Sequence, residues 1–127
     1  MGTLGIHETT QREAGPPEQA GRSGWSHPRV AVIIPCLDEE VAIAGVVRDF
    51  SAALPHATVY VYDNGSTDKT SERAREAGAV VRQEPLKGKG NVVRRMFADV
   101  DADLYVLVDG DGTYDASKAP ELIERLV

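Results

Sequence analysis

The chain has 127 residues, 42% of them hydrophobic and 27% charged, a size that accommodates one domain and is too short for two with separate cores. Lys and Arg number 14 against 20 Asp and Glu, a net charge of -6 at pH 7, which opposes the phosphate attraction behind nucleic-acid binding and attachment to anionic lipid. No stretch approaches the ~18 uninterrupted apolar residues of a spanning helix, and the N-terminus lacks a basic-then-apolar signal, so a soluble cytoplasmic protein with no nucleic-acid partner and no transmembrane segment is expected.

Residues 1–28 are rich in Gly, Pro, Gln, Glu, Ser and Arg, with Leu4, Ile6 and Trp25 the only large apolar side chains. Such a composition does not offset a backbone ordering cost of roughly 1–2 kcal/mol per residue. A disordered leader is expected over 1–28, with the folded domain in 29–127. From Arg29 short β-branched runs alternate with longer amphipathic stretches, the pattern of successive βα units on a parallel sheet with helices on both faces.

The first strand is predicted over Val30–Ile34, continuously apolar and ended by Pro35. A helix over Glu39–Leu54 follows, with Ile43, Val46, Val47, Phe50 and Leu54 on one stripe and Pro55 as its stop. The second strand is Thr58–Tyr62. A polar helix over Asp68–Ala77 ends at Gly78, and Asp68 reads as its N-cap. The third strand is Ala79–Arg82, and a third helix over Asn91–Val100 buries Val92, Val93, Met96 and Phe97. Leu104–Val108 is the fourth strand. Beyond Pro120 a new amphipathic helix carries Leu122, Ile123 and Leu126 on one face and meets the chain end at Val127, so truncation of a longer domain is expected.

In an open parallel sheet the loops leaving the carboxyl ends of the strands face one crevice, where ligands bind. The polar clusters follow that rule: Pro35 to Glu40 after the first strand, Asp63 to Asp68 after the second, and Asp109 to Asp115 after the fourth. Asp109 and Asp111 flank one glycine, a spacing that lets two carboxylates reach the same divalent cation. Asp63 ends a strand, where its carboxylate can accept hydrogen bonds from a base or ribose. Of Glu39 and Glu40, Glu39 lies nearer the loop. The single cysteine, Cys36, excludes an internal disulfide and a multi-cysteine zinc site, leaving oxygen ligands and a hard cation. Arg82, Lys87, Lys89, Arg94 and Arg95 oppose Glu84 alone, and the turn around Lys87 and Lys89 enters a helix N-terminus that suits an anionic phosphate. It does not match the G-x-x-x-x-G-K-[ST] phosphate loop.

Val-Ile-Ile-Pro-Cys-Leu-Asp-Glu-Glu, Asp-Asn-Gly-Ser-Thr-Asp-Lys-Thr and Val-Asp-Gly-Asp-Gly-Thr-Tyr-Asp, in that order, resemble the nucleotide-sugar-binding half of family 2 glycosyltransferases. Among these the polyprenyl-phosphate (dolichyl-phosphate) hexosyltransferase branch is most similar, and the match runs from about Val30 to Asp115. The resemblance implies a Rossmann-like GT-A fold in which Pro35, Leu37, Glu39 and Asp63 hold the nucleoside. It implies that Asp109 and Asp111 form the D-x-D pair, holding Mg²⁺ or Mn²⁺ on the diphosphate of a UDP- or GDP-sugar. A lipid-phosphate acceptor and work at the cytoplasmic face of a membrane are further implications. Asn64 stands where many members carry a second Asp. The family's acceptor half, with its general base, is absent, so no catalytic base is named and weak nucleotide binding with little turnover is expected.

Two other functions compete. The run Asp109-Gly-Asp-Gly-Thr also fits haloacid-dehalogenase-like phosphatases, with Asp109 as nucleophile and Asp111 as acid-base, although Lys118 is the only lysine that follows. A non-catalytic nucleotide-binding fragment is the other alternative. A calcium hand fails, because its first and twelfth ligands would be Leu107 and Lys118.

Overall fold

The computed structural model describes residues 4–8 and 28–126, with the side chains of 4–8, Lys89 and Leu126 outside that description. In chain order the elements are β1 (Leu4–Glu8), β2 (Val30–Cys36), α1 (Ile43–Ala53), β3 (Thr58–Asp63), α2 (Thr70–Glu76), β4 (Val80–Gln83), α3 (Lys89–Asp99), β5 (Leu104–Val108), a short 3-10 helix (Ala116–Lys118) and α4 (Ala119–Leu126). The sheet order is β1-β5-β2-β3-β4. Strands β2 to β5 run parallel, and β1 pairs antiparallel with β5, Leu4 opposite Val108 and Glu8 opposite Leu104.

Side chains alternate along each strand and sort the core into two layers. On one face Val32, Ile34, Val59, Val61, Leu104 and Val106 meet Ile43, Val46, Val47 and Phe50 of α1, together with Ala74 of α2 and Ala119 and Ile123 of α4. On the other, Ala31, Ile33, Tyr62 and Tyr105 meet Val92 and Met96 of α3. The parallel sheet with helices on both faces is as the sequence predicts. Among the described residues no helix is long and apolar enough to cross a membrane.

The strand at Leu4–Glu8 corrects the expectation that all of 1–28 is disordered. Composition weighs a segment by its own side chains, whereas an edge strand is held by backbone groups that β5 presents to any neighbour. Residues 9–27, the bulk of the expected leader, lie outside the described residues.

Other boundaries shift by a few residues. Strand β2 runs through Pro35, which sits opposite Tyr62, and ends at Cys36 opposite Asp63. Its last carbonyl, on Cys36, accepts from Asn64 N–H at 2.9 Å, so the ladder closes without a donor from Pro35. Helix α1 starts at Ile43 because the Glu39 carbonyl takes the N–H groups of Ala42 and Ile43 in a preceding turn. Helix α3 starts at Lys89. Phe97, expected in the core, is 38% exposed. Its ring packs against that of Tyr105 in a T-shaped arrangement at a centroid distance of 5.0 Å.

Candidate functional site

Strand β2 lies between β3, which follows it in sequence, and β5, which comes last. The chain thus winds outward from β2 in both directions, and the crevice at the carboxyl ends of β2 and β5 is the topological switch point where open α/β sheets bind ligands. A crevice of about 200 Å³ opens there, lined by Pro35, Cys36, Leu37, Glu39, Asn64, Val92, Asp109, Gly110 and Asp111. The structure therefore brings Pro35, Leu37, Glu39, Asp109 and Asp111 together. Cys36, Asn64 and Val92 complete the wall without having been singled out for it.

The acidic turn seats closely on β2. A Cβ at Gly110 would stand 3.0 Å from Cys36 Cβ and 3.6 Å from Glu39 Cγ, so only glycine lets the turn approach this far. Asp111 Oδ1 accepts from the backbone N–H of Thr113 at 3.1 Å and its hydroxyl at 2.8 Å. Burial, and then the charges of Asp111, Asp68, Asp109 and Asp38, raise the Glu39 carboxyl above its ordinary range. The mutual repulsion of these carboxylates would be relieved by a cation. Among the described residues no three His, Cys, Asp or Glu side chains are grouped to hold a metal. A pair of carboxylates fits a hard cation whose remaining ligands are water and substrate phosphate, the usual arrangement for Mg²⁺.

Strand-end loops are tied to one another by short polar side chains. Asp38, with φ of 53°, accepts from Thr67 N–H at 2.8 Å, while its own N–H donates to Ser66 Oγ at 2.8 Å. Glu39 N–H donates to Thr70 Oγ1 at 2.8 Å. Asp68 takes Thr70 N–H at 2.9 Å and Glu40 N–H at 3.3 Å, so it caps the first turn of α2 from two residues before its start and also fastens the neighbouring loop. The Thr70 hydroxyl, which also donates to Asp68 Oδ1, and then these backbone donors hold its carboxyl below the ordinary range. The signal for this lattice is the Asp-Asn-Gly-Ser-Thr-Asp run, whose residue types all bond to nearby backbone.

Asp63 is 3% exposed, accepting from Ser66 N–H at 2.8 Å and from the Ser71 hydroxyl. It does not line the crevice, although its neighbour Asn64 does. Cys36 is buried, and that burial, reinforced by Asp63, Glu39 and Asp68, pushes its thiol far above the ordinary value, so it stays protonated and inert.

The basic stretch divides. Arg95 turns to Asp99 at 2.9 Å and to buried Glu84 at 3.4 Å. Lys87 extends back toward Gly65, its Nζ 3.2 Å from where a Cβ on that glycine would sit. The side chain of Lys89 lies outside the described residues.

Residues 31–127 match the family model described as Glycosyl transferase family 2. Protein RfbJ of Shigella flexneri is 62% identical over 98 residues, covering 77% of this chain and 76% of that protein. Glycosyltransferase AglJ of Haloferax volcanii is 39% identical over 98 residues, 76% of this chain and 32% of its own length. Among solved structures, glucosyl-3-phosphoglycerate synthase from Mycobacterium tuberculosis in complex with Mn²⁺ and UDP-glucose superposes with a TM-score of 0.70 at 27% identity, covering 88% of this chain and 44% of that one. The chain thus spans less than half of AglJ and of the synthase. The family match spans the acidic turn. This chain, a Rossmann-like sheet with its acidic turn at the switch point, belongs to glycosyl transferase family 2.

Proposed function

We propose that the crevice at the ends of β2 and β5 binds a nucleoside-diphosphate sugar, UDP- or GDP-linked, as the donor site of a hexosyltransferase. The observation that carries this reading is the convergence of Pro35, Leu37 and Glu39 with Asp109 and Asp111 on one crevice at the switch point. The synthase structures of this fold that hold UDP-glucose with Mn²⁺, and UDP with Mg²⁺, support it. Pro35, Leu37 and Glu39 form the nucleoside wall, and buried Asp63 supports it. In this reading Lys87 and Lys89 are assigned to the diphosphate, and Asp109 and Asp111 would carry Mg²⁺ or Mn²⁺. When bound, the cation offsets the charge on the departing nucleoside diphosphate. The chain's own contribution is to orient the donor and to stabilise its leaving group.

The acceptor in this proposal is a polyprenyl phosphate at the cytoplasmic face of a membrane. Its oxygen is ionised at neutral pH, so transfer requires positioning more than a general base. No residue of this chain is assigned as a base, and turnover by the chain alone is expected to be slight.

Calorimetric titration with UDP-glucose, with and without Mn²⁺, tests the reading. Asp109→Asn and Asp111→Asn are each expected to weaken Mn²⁺-dependent binding by about tenfold or more, ~1.4 kcal/mol, and chelation of the metal should do the same. Mn²⁺-dependent affinity in both variants equal to that of the unaltered chain would overturn the metal pair.

A further inference from the structure

The stretch between β4 and α3 crosses the carboxyl end of the sheet with no regular structure of its own, and one side chain from another loop holds it. Asn64, 9% exposed, donates from Nδ2 to the carbonyls of Glu84 at 2.8 Å and Leu86 at 2.7 Å. Its Oδ1 accepts from Gly88 N–H at 2.8 Å. Both amide protons and the carbonyl are thus engaged with three successive points of the stretch. Buried Glu84 adds a second tie, its carboxylate accepting Leu86 N–H at 2.9 Å and facing Arg95. Between the tied residues stands Lys87, whose ammonium reaches over Gly65, the residue after Asn64.

We infer that Asn64 is a positioning residue whose carboxamide fastens the 84–88 stretch and so sets the Lys87 ammonium beside the crevice. In this chain the three bonds as they stand call for an amide. An aspartate at this position would face the Glu84 and Leu86 carbonyls with acceptors only, replacing two hydrogen bonds by two repulsive contacts and keeping the Gly88 bond alone. The consequence for ligand binding rests on the donor-site reading above; the fastening itself does not.

The test uses the full chain with three substitutions: Asn64→Asp, which is nearly isosteric, Lys87→Met, and the two combined. Hydrogen exchange at the Leu86 and Gly88 amides reads the fastening, and UDP titration across ionic strengths reads its consequence. Asn64→Asp should accelerate exchange at the Leu86 amide while Gly88 keeps its acceptor, weaken UDP binding by about tenfold, and flatten its salt dependence as Lys87→Met does. In the Lys87→Met background it should weaken binding little further. Asn64→Ser carries the same measurements if the aspartate variant does not fold. Unchanged exchange overturns the inference, as does a loss of affinity that is undiminished when Lys87 is already gone. If the unaltered chain does not bind UDP, the donor-site reading fails while the exchange rates still decide the fastening.

Discussion

Gly110 governs how near the acidic turn can come to β2. Its neighbours on that side are Cys36 Cβ and Ile34 Cγ2, which belong to a buried strand and have nowhere to move. Gly110→Ala is therefore expected to cost about 1–3 kcal/mol and to weaken Mn²⁺-dependent nucleotide binding by displacing Asp109 and Asp111. Gly45→Ala, where nothing lies within 4 Å of the added carbon, is the control and should leave binding unchanged; denaturant titration and calorimetry check both. Residues of this kind were only partly legible in the sequence. Asp109 and Asp111 announce themselves by charge and spacing after an apolar strand. Asn64 shows only as a departure from a family pattern, because its partners are backbone atoms of residues 84–88 that no side-chain pattern reveals. Asp68 reads as a helix cap, and the structure adds its bond to the Glu40 N–H, which depends on two loops meeting in space.

Helix α1 was legible because its apolar stripe repeats at helical spacing, and Ile43, Val46, Val47 and Phe50 are all buried as that stripe predicts. Phe50 is the largest of them, 1% exposed, with the Tyr114 ring stacked at 6.2 Å beyond it. It joins α1 to the segment that follows the acidic turn. Phe50→Ala should lower stability by about 3–5 kcal/mol, seen as a fall in the denaturant midpoint with an unchanged slope. Strand β1 was not legible, since its pairing is a property of the β5 edge and not of its own composition. The early start of α3 is of the same type: Gly88 and Gly90 read as a flexible turn, yet Gly90 is helical and Gly88 supplies a φ of 107° just before the helix.

At the scale of the whole molecule, the fold class followed from the alternation of short and long apolar runs, and the switch point followed from the place of β5 in the sheet, which only the structure supplies. Stability should also respond to alkali. Tyr62 is fully buried and donates to Asp99 Oδ2 at 3.2 Å. Burial first, and the Asp99 charge second, push its phenol up to about 12 from an ordinary value of 10.0. The folded state thus holds this proton more tightly than the unfolded chain does, so the contribution is complete below about pH 10 and is lost as pH rises toward 12. Thermal melting across that range should show a steep decline, with tyrosinate absorbance rising alongside it, and Tyr62→Phe should flatten the decline.

The antiparallel direction of β1 has a practical corollary. Leu4 is paired with Val108, the last residue before Asp109, so the start of β1 lies beside the acidic turn. A polyhistidine purification handle placed close ahead of β1 would offer imidazoles to an ion held by the aspartate pair. Metal titrations on this polypeptide belong on material whose handle has been cleaved or moved to the opposite terminus.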